Sequence, residues 1–110
     1  MPEIWFTFEF KRNLRALAKK YGSIRSDLEP DIELLKNGEL PGDQVPGLNL
    51  ALFKVRIQHR DIQKGKRSGY RFIYYLKTRD KIVLVTIYSK LDQSDISAKR
   101  IKEILAEMRY

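Results

Sequence analysis

Residues 70–90 read "YRFIYYLKTRDKIVLVTIYSK", and the pairing of this stretch with itself sets the fold. Segments 70–77 and 81–90 are both rich in aromatic and β-branched residues, which favours extended backbone. Arg79-Asp80 lies between them at the place of a turn. Arg-Asp is not a favoured primed-turn pair, so a two-residue and a four-residue loop are both open, and either gives the same constant register. In that register Tyr70, Phe72, Tyr74 and Leu76 face Ser89, Ile87, Val85 and Val83. On the opposite face Arg71 meets Tyr88, Ile73 meets Thr86, Tyr75 meets Leu84 and Lys77 meets Ile82. Lys90 points the same way as Tyr88, one step further along. The pairing therefore predicts that Arg71, Tyr88 and Lys90 converge at one end of one sheet face.

Immediately upstream, "QKGKRSG" (63–69) brings Lys64, Lys66 and Arg67 to the start of the strand that carries Arg71. Further back, "ALFKVRI" (51–57) alternates: Ala51, Phe53, Val55 and Ile57 share one face, and Leu52, Lys54 and Arg56 share the other. Residues 38–49, "GELPGDQVPGLN", hold three glycines and two prolines and read as a loop.

The N-terminal part is helical. "IWFTF" (4–8) is a short strand, and from Thr7 onward Phe10, Leu14, Leu17, Ala18 and Tyr21 form one apolar stripe, with Gly22 as its stop. A second helix starts near Ser23 or Ser26, with Ile24, Leu28, Ile32 and Leu35 on one face and Asn37-Gly38 at its end. Pro30 implies either a kink or a start near Leu28. At the other terminus Ser97 is the N-cap of a helix whose stripe is Ile101, Ile104, Leu105 and Met108, with Ile96 stapled onto Ile101. The order β-α-α-β-β-β-α predicts one α+β domain over residues 1–110, a small, mostly antiparallel sheet with two N-terminal helices and one C-terminal helix.

Composition narrows the class. The chain has 110 residues and no cysteine, which excludes thiol catalysis, Cys-ligated zinc and a disulfide scaffold. No signal peptide is visible, and no apolar run approaches the roughly 20 residues of a membrane helix, so a soluble cytoplasmic protein is expected. The charge is uneven: residues 1–50 carry 7 Lys/Arg against 8 Asp/Glu, and residues 51–110 carry 15 against 6. Such a basic half implies polyanion partners, nucleic acid first, an acidic protein second, an anionic membrane third. A basic surface kept for solubility is the plainer alternative.

The chemistry is bounded by what is missing. There is no H-E-x-x-H, Walker or GxSxG motif, and no metal-ligand cluster. The one histidine, His59, excludes a two-histidine acid–base pair and reads as a surface residue. What remains is a face of Lys, Arg and Tyr. Cleavage of RNA by its own 2′-hydroxyl needs that hydroxyl deprotonated, the phosphorane charge stabilised and the leaving 5′ oxygen protonated. Arg71 supplies a planar two-donor contact to phosphate. A lysine among other cations has its charged form disfavoured and can act as base. Tyr88 suits base stacking or proton transfer, though Tyr75 and Tyr88 also read as ordinary cross-strand packing. From spacing alone, binding without chemistry is as well supported as catalysis.

The segments "LFKVRI", "GKRSGYRFIYY", "IVLVTIYSK" and "DISAKRIKEIL", with the N-terminal pattern F-x-R-x-L-x-x-L-x-K-K-Y, resemble RelE/HigB-type toxins of bacterial type II toxin–antitoxin modules. The resemblance spans nearly the whole chain. It implies a microbial-ribonuclease-like α+β fold, metal-independent and cofactor-free cleavage of mRNA on the ribosome, and inhibition by a cognate antitoxin. It places catalytic residues at Lys66, Arg71, Tyr88 and Lys90, and RNA-binding residues at Lys54, Arg56, Lys64 and Arg67. Several such toxins carry a catalytic tyrosine or histidine just beyond the last strand. Here "LDQSDIS" (91–97) has neither, which leaves Lys66 or Lys90 as general base and Tyr88 as the alternative. Two other functions stay open, a ParE-like poison of DNA gyrase and a non-catalytic nucleic-acid-binding module.

Overall fold

The computed structural model describes residues 1–58 and 69–107. Its elements are β1 (Glu3–Phe6), α1 (Phe8–Lys20), α2 (Ile24–Lys36), β2 (Asp43–Gln44), β3 (Leu52–Ile57), β4 (Tyr70–Thr78), β5 (Lys81–Ser89) and α3 (Ala98–Ala106). The strands form a five-stranded mixed sheet in the order β1-β5-β4-β3-β2, with only the β1–β5 pair parallel. The expected α+β fold is present. One strand was not foreseen: β2, two residues within the Gly/Pro-rich stretch, pairs Asp43 with Lys54 and Gln44 with Phe53.

Side-chain caps start α1 and α3, and backbone amides close α2. Thr7 caps α1 by accepting from the Phe10 amide at 2.9 Å, and its hydroxyl donates to the Val85 carbonyl at 2.7 Å. Beyond the end of β1, α1 thus covers the edge of β5, where the Asn13 amide donates to the Ile87 carbonyl at 3.3 Å. These contacts occupy carbonyls that an exposed edge would offer to another chain. α1 ends at Tyr21 in extended backbone, one residue before the expected glycine stop. α2 runs unbroken from the Ser23 cap through Pro30. Pro30 lies on the exposed side, so water can reach the Ser26 carbonyl that lacks its helical donor. Gly38, at φ +84°, closes α2 with its amide on the Leu35 carbonyl, while the Glu39 amide reaches Leu34. Ser97 caps α3 by accepting from the Arg100 amide, and Ile96 packs with Ile101 in the same cluster. Met108 lies outside the described residues.

The two sheet faces bury separate cores. Under α1 and α2, Phe10, Ile24, Leu28 and Leu35 pack on Tyr70, Phe72, Tyr74, Leu84 and Ile87. On the other face Ile101 and Ile104 of α3, with Leu48, pack on Leu52, Ile73 and Val85. No helix among the described residues is long and apolar enough to cross a membrane.

The β4–β5 register matches expectation at one end and departs from it at the other. Tyr70 meets Ser89, Arg71 meets Tyr88, Phe72 meets Ile87 and Ile73 meets Thr86. Beyond Ile73 the pairing slips by one: Tyr74 meets Leu84, Tyr75 meets Val83 and Leu76 meets Ile82, instead of Val85, Leu84 and Val83. Ile82, expected opposite Lys77, pairs with Leu76 instead, and the frame returns at Thr78–Lys81. The physical cause is a pair of bulges. Arg79 and Asp80 keep negative φ, so the turn is not of the primed type that matches strand twist, and extra residues on each strand absorb the mismatch. The slip exchanges faces: Leu84 and Ile82 join the α1/α2 core, and Val85 turns towards α3.

Candidate nucleic-acid site

α3 covers only part of its sheet face. Past its end, one row crosses three strands: Arg56 on β3 lies opposite Arg71 on β4, which lies opposite Tyr88 on β5. Lys54 lies two residues back along β3 on the same face, and Lys90 follows the end of β5. These five side chains, with Ser94 and Asp95 from the β5–α3 loop, line one cleft of about 310 Å³. The pairing inferred for Arg71, Tyr88 and Lys90 does bring them together.

Gly69 sets how closely β3 and β4 approach beside Arg71. Its φ is +116°, and a Cβ there would stand 2.4 Å from the Ile57 carbonyl oxygen, so β3 and β4 close up only because no side chain intervenes. Its own carbonyl accepts from the Lys90 amide at 2.8 Å, which ties the end of β5 to the start of β4.

Arg71 is 5% exposed, and its Nη1 donates to the Tyr70 carbonyl at 3.1 Å. Burial, then the neighbouring Arg56, lowers its pKa, yet a guanidinium stays charged at neutral pH. Arg56 is exposed and forms no hydrogen bond or ion pair with the other described residues. Two guanidinium groups directly opposite one another repel, and Arg56 is among the causes that lower the Arg71 pKa. Among the described lining residues, Lys54, Arg56, Arg71 and Lys90 stand against one carboxylate, Asp95, a balance of charge that suits an anion.

Sequence reading missed Asp95. Its Oδ1 accepts from Lys54 Nζ at 2.7 Å, from the Tyr88 hydroxyl at 3.3 Å and from the Ile96 amide at 2.8 Å. The hydrogen bond from Lys54 leads the causes that hold its carboxyl below the usual range. Burial, then the Asp95 charge, pushes the Tyr88 phenol up to about 12. At neutral pH the phenol is therefore protonated and the carboxylate ionised, which fixes Tyr88 as donor and Asp95 as acceptor. Lys90 Nζ donates to the Ser94 carbonyl and holds the same loop from the other side. Charge complementarity was the available signal for an acid here, but Asp92 satisfies it equally. Asp92 instead pairs with Lys20 at 3.0 Å, away from the cleft.

The expected site is thus assembled in part. Lys54, Arg56, Arg71, Tyr88 and Lys90 line one cleft, whereas His59, Lys64, Lys66 and Arg67 lie outside the described residues. Among the described residues no three His, Cys, Asp or Glu side chains gather as metal ligands. The cleft offers many donors, few acceptors and a buried guanidinium, a pattern that suits a phosphate group. Compared with models of known protein families, the chain matches none.

Proposed function

We propose that this chain is a RelE/HigB-type toxin, an endoribonuclease that cuts mRNA on the ribosome in the cytoplasm and is held in check by a cognate antitoxin. The observation that carries the reading is the Arg56–Arg71–Tyr88 row, with Lys54 and Lys90 beside it, around one cleft at the open end of a sheet face. The sequence resemblance described above supports it independently.

In this reading Arg71 and Arg56 hold the scissile phosphate and stabilise the charge that grows on its oxygens. Lys66 or Lys90 takes the proton of the 2′-hydroxyl. The 2′ oxygen then bonds to phosphorus as the bond to the 5′ oxygen breaks, and a cationic neighbour or the Tyr88 phenol protonates the departing oxygen. The fragments carry a cyclic phosphate and a 5′-hydroxyl. A phenol raised to about 12 suits proton donation or hydrogen bonding better than the role of base at neutral pH.

Brief induction of the wild-type chain and of Arg71→Ala, with transcript ends mapped genome-wide, tests the reading. Growth arrest with codon-phased mRNA cuts, both lost in the folded variant, supports it. Intact messages with gyrase-dependent DNA breaks favour a ParE-like poison, and salt-sensitive nucleic-acid binding without arrest favours a non-catalytic binding module.

A further inference from the structure

Every cation in the cleft offers N–H donors and no lone pair with which to accept. A bare phosphate, which only accepts, would be fully served by such a site, so the acceptors beside it ask for a ligand that also donates. Those acceptors come from one arrangement. Tyr88 donates its hydroxyl hydrogen to Asp95 Oδ1, so the phenol oxygen of this lining residue keeps its lone pairs for a donor on a ligand in the cleft. Asp95 Oδ1 accepts from Lys54, Tyr88 and the Ile96 amide, and Asp95 lines the same cleft.

The loop that carries Asp95 is built in place. The buried Ser89 accepts the amides of Asp92 and Gln93 on its carbonyl and the amide of Leu91 on its hydroxyl. Gln93 Nε2 donates to the Asp95 carbonyl at 3.0 Å, and Ser97 immediately beyond caps α3. The cleft of about 310 Å³ is open with Asp95 in position, so the carboxylate is a wall of the site and not a plug in it. Lys54 and Tyr88 stand on β3 and β5, with β4 between them, and the one carboxylate oxygen draws their tips to a common point.

We propose that Asp95 is a positioning residue that gives the cleft its preference for ribose: by holding the Tyr88 hydroxyl as a donor to itself, it aims the phenol oxygen at the 2′-hydroxyl beside the bound phosphate. The 2′-hydroxyl is the group by which a protein tells RNA from DNA at a given site. This inference rests on the cleft being a nucleic-acid site, as proposed above. It concerns the bound complex, whichever base later takes the 2′ proton, and it selects the cationic neighbour over Tyr88 as the group that protonates the 5′ oxygen.

The test measures binding of the full chain to single-stranded RNA, 2′-fluoro-RNA and DNA of one sequence, by fluorescence anisotropy, with the RNA checked for intactness. The 2′-fluoro strand keeps the ribose-like sugar shape and cannot donate. Wild type should favour RNA over both analogues by roughly tenfold, the worth of one well-formed hydrogen bond. Tyr88→Phe should lose that preference. Asp95→Ala should lose it too while binding DNA more tightly, because a negative charge has left a cationic cleft. The double variant should lose no more than either alone. A general structural lesion would weaken all three ligands together. An Asp95→Ala chain that keeps the wild-type RNA preference, or that gains equally for RNA and DNA, overturns the inference. If Arg71→Ala does not weaken binding of any ligand, the cleft is not a nucleic-acid site and the proposed function falls with it.

Discussion

Substituting Arg56 with glutamine should stabilise this protein while impairing its cleft. Arg56 and Arg71 are direct cross-strand partners, and Arg71 is 5% exposed. Like charges placed directly opposite on a sheet destabilise by roughly 0.2–1 kcal/mol, and burial of one partner puts this pair towards the upper half of that range. Glutamine keeps most of the arginine stem and removes only the charge. A gain of about 0.8 kcal/mol corresponds to a rise in Tm of roughly 3–6 °C for a domain of this size. The chain carries a net charge of +8, so removal of any cation relieves some repulsion, and Lys102→Gln on exposed α3 measures that general share. Differential scanning fluorimetry in about 10 mM and about 1 M salt completes the assay, since the screening length falls from roughly 30 Å to roughly 3 Å. The excess of Arg56→Gln over Lys102→Gln should be present at low salt and largely gone at high salt. Added phosphate should raise the wild-type Tm more than that of Arg56→Gln, because a ligand stabilises only the state that binds it. An Arg56→Gln protein less stable than wild type at low salt, or one whose advantage survives unscreened, would refute the idea that the cleft holds unbalanced positive charge.

Three further outcomes follow from the same geometry. The Tyr88 phenol is raised from 10.0 to about 12, so the folded chain holds this proton more tightly than the unfolded one. Its contribution to stability is complete below pH 10.0 and is lost as pH rises through about 12, and the 295 nm titration of wild type minus Tyr88→Phe should show the late step. Thr7→Ala removes the α1 cap and the donor to the buried Val85 carbonyl, which should cost about 2 kcal/mol; in urea the midpoint should fall with the slope unchanged, and Thr7→Ser should recover most of it. Gly69→Ala forces a Cβ towards the Ile57 carbonyl at positive φ, with an expected cost of roughly 1–3 kcal/mol and loss of the phosphate-induced rise in Tm, both read in one thermal scan.

Where the sequence was legible, polar residues marked the faces. At the open end of the β4–β5 pair, Arg71 and Tyr88 alternate with Tyr70, Phe72 and Ile87, and only one register puts the cations together and the apolar groups into the core. Near the turn that information runs out. "KIVLVTI" (81–87) is apolar or β-branched at almost every position because both faces there lie under helices, and a strand buried on both sides does not announce its register. A bulge at Val85 leaves no mark in such a run. β2 escaped for a different reason: two paired residues inside a Gly/Pro-rich loop fall below any periodic signal. The donors on the edge of β5 lie far away in sequence on α1, and Asp95 shares its loop with an equally acidic Asp92, so neither contact could be read from spacing.

The same bulge that defeated the register decides which part of the sheet becomes core and which becomes site. By turning Val85 towards Ile73, Ile101 and Ile104, it gives α3 an apolar seat on the turn-side half of the face. Thr86, next to it, is also drawn towards the helices, bonding Glu9 of α1, which in turn pairs with Arg100 of α3. α3 is therefore pinned at one end, and the Arg56–Arg71–Tyr88 row lies beyond its reach. An unbulged strand would send Val85 to the opposite core and offer Leu84 and Thr86 to α3, a different seat with no reason to stop short of the charged row. On this view the cationic cleft exists because the helix that would cover it has been anchored elsewhere.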